Sequence, residues 1–310
     1  MIEIQRILCP IDFSEYSRHA LDHTVALARW YGSTITVLHV FSTTPVAAFA
    51  PGMPDFEPIV LTSADRDQLL VDVKRFIDTE SAPGVSIDAE IREGDAVGEI
   101  LSLATDMKAD LLVLGTHGRS GFERLLLGSV TEKLLRKASC PVLTVPRRHP
   151  DAVPATPVLF KQILCAVDFS ECSMHALNYA MSVAQEADAH LTVLNVMGDE
   201  LDVTPDAYGA IIMNDLESLA DFRKRHQDEA RRRLNEAVPE SVAAYCNVET
   251  MVSSGGKPSR EILRIASEQQ TDLIVVGVQG RGAASVMFFG STTNHVVREA
   301  TCPVLTIRRP

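Results

Sequence analysis

A segment near the start of the chain, ILCPIDFSEYSRHAL at residues 7–21, returns at residues 163–177 as ILCAVDFSECSMHAL, an offset of 156. TVLHV at 36–40 returns as TVLNV at 192–196 with the same offset. From Gly94 onward the offset is 162. GDAVGEIL then pairs with GKPSREIL, ADLLVLG with TDLIVVG, and ASCPVLTV with ATCPVLTI. The second copy therefore carries six additional residues between Val196 and Gly256. In a chain of 310 residues, two copies of this length are domains rather than solenoid repeats, which run to about 20–50 residues. The stretch PRRHPDAVPATP at 146–157 is rich in proline and charge and has no apolar period, which is linker chemistry. The expected organisation is a first domain at 1–147, a linker at 148–158 and a second domain at 159–310.

Within one copy the apolar period switches repeatedly. RILCPIDF is a short continuous apolar run, as expected of a strand buried on both faces. In the next segment Ala20, His23, Leu27 and Tyr31 recur at near-helical spacing, and Gly32 supplies a stop. TITVLHV reads as a second strand, residues 63–80 as a helix, VSIDAEIREG as an alternating strand and AVGEILSLATDMKA as a helix. DLLVLG is a buried strand, SVTEKLLRKA a helix and CPVLTV a last strand. Strands alternating with helices predict an α/β domain with five parallel strands between helices, made twice.

Composition narrows the function classes. A net charge of -12 argues against nucleic acid as a partner, because phosphate backbones need a basic face. Six cysteines without a CxxC pair, four of them (Cys9, Cys140, Cys165 and Cys302) in apolar runs, read as small hydrophobes in a reducing compartment. No apolar run approaches the ~18 residues of a membrane span, and the N-terminus lacks the pattern of a signal peptide. The expectation is a cytoplasmic protein.

The most specific feature is a glycine frame kept in both copies while its filling changes: GTHGRSGFERLLLGS at 115–129 and GVQGRGAASVMFFGS at 277–291. Gly115 follows a buried strand, at the carboxyl edge where wound parallel sheets bind ligands. A glycine there lets the chain turn or lets a ligand approach the main chain. Gly128 and Ser129 precede a helix whose first N–H groups attract anions, and Ser129 and Thr131 offer hydroxyl donors. The alternative is a turn followed by a capping box, Ser129-x-x-Glu132. The second copy keeps its glycines and Ser291 but follows them with Thr292, Thr293 and Asn294, losing the box. Asp12 and Asp168 each end the first strand of a copy, where a ligand hydroxyl, a hydrated Mg²⁺ or the following helix start would satisfy the charge. Arg119 and Arg281 either pair with phosphate or point to solvent.

The pattern G-x2-G-x9-G-S, with the repeated opening and the closing CPVLTV, resembles the universal stress protein family over nearly the whole chain, twice. The resemblance implies two tandem Rossmann-like domains of the adenine nucleotide alpha hydrolase-like kind, and ATP, with or without Mg²⁺, as the ligand. It implies contacts at Pro10, Ile11, Asp12, Val40, Gly115, His117, Gly118, Arg119, Gly128, Ser129, Val130 and Thr131 in the first copy. The matching positions of the second are Ala166, Val167, Asp168, Val196, Gly277, Gln279, Gly280, Arg281, Gly290, Ser291, Thr292 and Thr293. Gln279 for His117 and Thr292 for Val130 imply two sites that differ. The resemblance also implies that the last strands pair as an intramolecular pseudo-dimer, with a homodimer as a further option.

Two other readings stand beside a regulatory nucleotide-binding protein. A slow ATPase or nucleotidyl-transferring enzyme needs a base, for which His117 is the candidate. A nucleotide-free scaffold needs none, and no catalytic residue is assigned. SGGKPS at 254–259 lacks the aspartate of an ATP pyrophosphatase loop, and GRGAAS at 280–285 does not follow the first strand. His19 and His23 are four apart but have no third ligand nearby, so no metal site is assigned. The basic run at 223–233 reads as the solvated face of a helix, and residues 42–58, with Phe49, Met53 and Phe56, as a loop of lid-like length.

Overall fold

The structure is a computed structural model that describes residues 2–41, 62–77, 83–117, 127–147, 160–198, 216–280 and 289–308. Gly118, Arg119, Arg281, the loop residues Phe49, Met53 and Phe56, and the linker at 148–158 lie outside the described residues. The chain divides into two compact units, one of Glu3–Leu159 and one built on Phe160–Pro310.

The first unit runs β1 (Arg6–Ile11), α1 (Glu15–Tyr31), β2 (Thr34–Phe41), α2 (Ser63–Ile77), β3 (Ser86–Glu93), α3 (Ala96–Asp106), β4 (Leu111–Gly115), α4 (Ser129–Lys137) and β5 (Val142–Val145). The second runs β6 (Gln162–Ala166), α5 (Glu171–Ala187), β7 (His190–Met197), α6 (Leu216–Ala237), α7 (Glu240–Tyr245), β8 (Asn247–Ser254), α8 (Pro258–Glu268), β9 (Leu273–Gly277), α9 (Ser291–Glu299) and β10 (Val304–Ile307). Strand order is β3-β2-β1-β4-β5 in the first unit and β8-β7-β6-β9-β10 in the second, with parallel neighbours within each. Each unit is thus a Rossmann-like α/β sandwich, in which the winding reverses between β1 and β4 and again between β6 and β9. Among the described residues the short helix α7 is the one element that the repeat did not announce; it lies in the segment where the second copy is longer.

The central strands are apolar because helices cover both of their faces. Ile7, Leu8, Cys9, Leu112 and Val113 of the first unit, and Leu164, Cys165 and Val275 of the second, are fully buried. All six cysteines are free and buried, and burial pushes the Cys9 thiol up to about 12, so it packs as an inert hydrophobe. Helix α1 starts at Ser14, whose hydroxyl accepts the Ser17 N–H, and stops at Gly32 in the left-handed region (φ +66°). His19 and His23 each place one ring nitrogen against a carbonyl. Their Nδ1 atoms donate to the carbonyls of Pro146 and His19, each at 2.9 Å.

One carboxylate per unit fixes the pairing of the two innermost strands. Asp110 Oδ2, ahead of β4, accepts the N–H groups of Gln5 (3.0 Å) and Arg6 (2.9 Å) at the start of β1. Asp272, ahead of β9, accepts those of Lys161 (2.7 Å) and Gln162 (3.1 Å). Burial nevertheless pushes the Asp272 carboxyl from an ordinary 3.8 up to about 6, outweighing the two hydrogen bonds. The folded state therefore holds this proton more tightly than the unfolded chain does. The group favours folding most below an ordinary carboxylate pKa, and that contribution is lost as pH rises through about 6. Asp272→Asn, which carries no charge to bury, is expected to gain melting temperature relative to the wild type between about pH 4 and about pH 7. A difference that stays constant across that range would contradict this.

Candidate functional site

The first unit encloses a cavity of about 360 Å³ at the carboxyl ends of β1, β2 and β4, beside the point where the strand order reverses. That position and size suit a small-molecule pocket, for which about 300–1,000 Å³ is usual. Every described first-copy residue named from the sequence lines it: Pro10, Ile11, Asp12, Val40, Gly115, His117, Gly128, Ser129, Val130 and Thr131. The sequence reading missed Ser17, Leu38, His39, Leu114 and Leu134, and the pair Ala96 and Ile100 from α3. Ala96 and Ile100 stand one helical turn apart on one face, a spacing visible in the sequence but unassignable until β3 and α3 are placed. In the second unit Ala166 ends β6, Asp168 lies just beyond it, and Val196 is near the end of β7. Gly277 ends β9, Gln279 and Gly280 follow, and Gly290 to Thr293 open α9.

The frame glycines are also points of close packing. A Cβ on Gly115 would lie 2.7 Å from Tyr16 Cβ and 3.0 Å from the Tyr16 carbonyl carbon. A Cβ on Gly277 would lie 3.0 Å from both Cys172 C and Ser173 N. In each unit the first turn of the first helix presses on the last residue of the fourth strand, and only hydrogen fits between them. Packing alone therefore requires glycine at 115 and 277. Gly128 and Gly290 make a second close approach. Their N–H groups donate to Thr116 O and Val278 O, each at 2.9 Å, and a Cβ would stand 3.1 Å from those oxygens. A Cβ on Gly280 would fall 2.7 Å from Asp168 Oδ2 and would push that carboxylate aside.

Thr131 and Thr293 also depart from expectation. Their hydroxyls donate to Gly115 O (2.9 Å) and Gly277 O (2.7 Å), so the proton expected to serve a phosphate instead latches the helix start to the strand end. Both threonines are buried. The capping box is absent as well. Gly128, not Ser129, is the N-cap of α4; no side chain caps that helix start, and Glu132 pairs with Arg136 at 3.0 Å. Helix α9 likewise begins at Gly290 with no side-chain cap. Both helix starts thus present first-turn N–H groups and the positive end of the helix dipole.

Asp12 and Asp168 do not cap the first helices directly. Ser14 and Ser170 are the caps, and each donates its N–H and its hydroxyl to Oδ1 of the aspartate two residues earlier. His39 and Asn195, at matching positions, make matching bonds: His39 Nδ1 donates to Ile11 O at the end of β1 (2.9 Å), and Asn195 Nδ2 to Val167 O, one residue past β6 (2.7 Å). His117 lines the cavity with Nδ1 3.0 Å from Thr116 Oγ1, while its buried Nε2 has no hydrogen-bond partner among the described residues. Gln279, its counterpart, is buried.

Family comparison agrees with this architecture. The model of the universal stress protein family matches residues 3–146 and again 159–308. The chain belongs to the universal stress protein family. A universal stress protein of Mycolicibacterium smegmatis is 26% identical over 97% of this chain and 96% of its own length. One from Methanocaldococcus jannaschii is 34% identical over 46% of this chain and 81% of its own. The crystal structure of a universal stress protein from Archaeoglobus fulgidus is 25% identical and aligns with a TM-score of 0.67 over 99% of this chain and 97% of that one. The tandem arrangement is therefore shared by relatives of full length.

If packing fixes the frame, substitution should cost stability with no ligand present. Gly115→Ala and Gly277→Ala are each expected to destabilise the nucleotide-free protein by about 1–3 kcal/mol. Denaturant unfolding at equal protein concentration checks this. An unchanged midpoint would return both glycines to a ligand-approach role.

Proposed function

We propose that the chain is an ATP-binding regulator of the stress response, cytoplasmic, with one nucleotide site per unit. The observation that carries this reading is the cavity at the reversal point of the sheet, with an uncapped α4 helix start as one of its edges. The residues fit such a ligand. Leu38, Val40, Ala96 and Ile100 offer apolar surface to a base, and Asp12 offers a carboxylate to a hydroxyl donor. Ser129 and Val130 bring main-chain N–H groups to phosphate. The unpartnered His117 Nε2 offers one further polar contact. Mg²⁺ would accompany the phosphates. In the second unit Asp168, Val196, Gly290, Ser291 and Thr292 take the matching roles, with Gln279 in place of His117.

Nucleotide binding of this kind has a ready regulatory use. A ligand at a hundredfold excess over its Kd stabilises the bound state by about 2.7 kcal/mol, enough to shift a balanced loop or assembly equilibrium. The structure favours main-chain recognition because the hydroxyls of Thr131 and Thr293 are occupied.

Ser129→Asp with Ser291→Asp tests the reading. Both positions are the first residue of their helices. A carboxylate there suits the helix dipole, so the fold is expected to keep or gain stability. The same charge opposes phosphate, and calorimetry should show Mg·ATP binding weakened about tenfold or more while adenosine binding is unchanged. Equal ATP affinity in the variant would place the phosphates elsewhere.

A second reading, slow ATP hydrolysis in the first unit, rests on the same unpartnered His117 Nε2 acting as base toward a water. His117→Ala is then expected to abolish turnover and leave ATP binding in place. Unchanged turnover excludes this role.

A further inference from the structure

Two phenylalanines hold a backbone conformation that large side chains avoid. Phe13 and Phe169, which directly follow Asp12 and Asp168, both have φ +63°. Left-handed backbone is costly for a bulky residue and persists only where its surroundings enforce it. Elsewhere among the described residues positive φ falls to glycines and to three polar residues, Lys108, Asp188 and Gln270, at φ +49° to +51°. Gly94 (φ +147°) precedes the cap of α3, and Gly256 (φ +77°) precedes the cap of α8. At α1 and α5 glycine would be easier, yet both units place a phenyl ring there.

The rings are held by different partners in the two units. Phe13 stacks on His39 with centroids 4.6 Å apart and meets Phe76 of α2 edge-on at 5.5 Å. Phe169 lies beneath the guanidinium of Arg233 of α6 at 3.9 Å. The turns they close are nevertheless the same. Ser14 N–H and hydroxyl reach Asp12 Oδ1 at 3.1 and 2.5 Å, and Ser170 reaches Asp168 Oδ1 at 3.0 and 2.6 Å. Ser17 Oγ accepts Asp12 N–H at 3.4 Å, and Ser173 Oγ accepts Asp168 N–H at 3.2 Å. In the second unit this sets Asp168 Oδ2 beside Gly280, 2.7 Å from where a Cβ would stand.

We propose that Phe13 and Phe169 are positioning residues: each clamps a left-handed turn that aims the preceding aspartate at a hydroxyl donor of the bound nucleotide. This rests on the nucleotide-binding reading and assigns the aspartate to the sugar, not to the phosphates, because a carboxylate repels phosphate. The ring acts through the carboxylate, so removing it and neutralising the carboxylate should remove the same interaction.

The test uses the full chain, calorimetry and two probes, Mg·ATP and inorganic tripolyphosphate. Phe13→Gly with Phe169→Gly permits the same φ without the ring. ATP affinity is expected to fall about tenfold, with tripolyphosphate affinity unchanged. Adding Asp12→Asn and Asp168→Asn is expected to cause no further loss. Phe13→Tyr with Phe169→Tyr, which restores the rings, is expected to restore affinity. Should the glycine pair fail to fold, Phe76→Leu with Arg233→Met strips the support from both rings, and the same pattern is expected. Unaltered ATP affinity, a parallel loss for tripolyphosphate, or losses that add to those of the aspartate variants would each overturn the inference. Failure of the wild type itself to take up ATP would overturn the nucleotide reading beneath it.

Discussion

Where a helix crosses the end of a strand at main-chain distance, the strand can finish only in a residue without a side chain. The contact of Tyr16 with Gly115, and of Cys172 and Ser173 with Gly277, imposes that condition in both units. Much of the site's shape follows from it. Bringing α1 down onto β4 sets Asp12 beside the end of β4. The latch from Thr131 to Gly115 O then brings the start of α4 to the same edge. What remains between these elements is the cavity. The second unit repeats each contact with different side chains around it, as a frame set by main-chain spacing allows.

The same geometry explains why phosphate would be recognised mainly by main chain. One of the hydroxyls expected to donate, that of Thr131, is already engaged in holding the helix, as is that of Thr293 in the second unit. The helix starts carry no side-chain cap, and their N–H groups lie at the dipole's positive end. A binding surface of this kind tolerates extensive change in the intervening residues. RSGFERLLL and RGAASVMFF share little beyond the first arginine.

The fold was legible because the apolar period changes at nearly every element boundary, and because each unit corroborates the other. Gly32 could be read as a stop from residue type alone, whereas the cap at Ser14 was not separated from Asp12, two residues earlier. The glycine frame was visible as a pattern, but its cause was not. A glycine looks the same in sequence whether a ligand or a neighbouring helix takes the place of its side chain. Ala96 and Ile100 were missed because a cavity wall from α3 depends on the crossover from β3 to β4, which no local signal encodes. The left-handed turn was hidden for another reason. Glycine and asparagine advertise positive φ, whereas Phe13 and Phe169 adopt it with their rings packed against His39 and Phe76 and against Arg233. Helix α7 was likewise unannounced, since the extra length of the second copy gives its place but not its conformation.

The account stands on main-chain N–H groups at two helix starts gripping phosphate. Backbone amide resonances recorded during titration with Mg·ATP test this most directly. The expected result is a saturable shift of the amides of Ser129, Val130, Thr131, Ser291, Thr292 and Thr293. Amides at those six positions that stay fixed while ATP binds would contradict it.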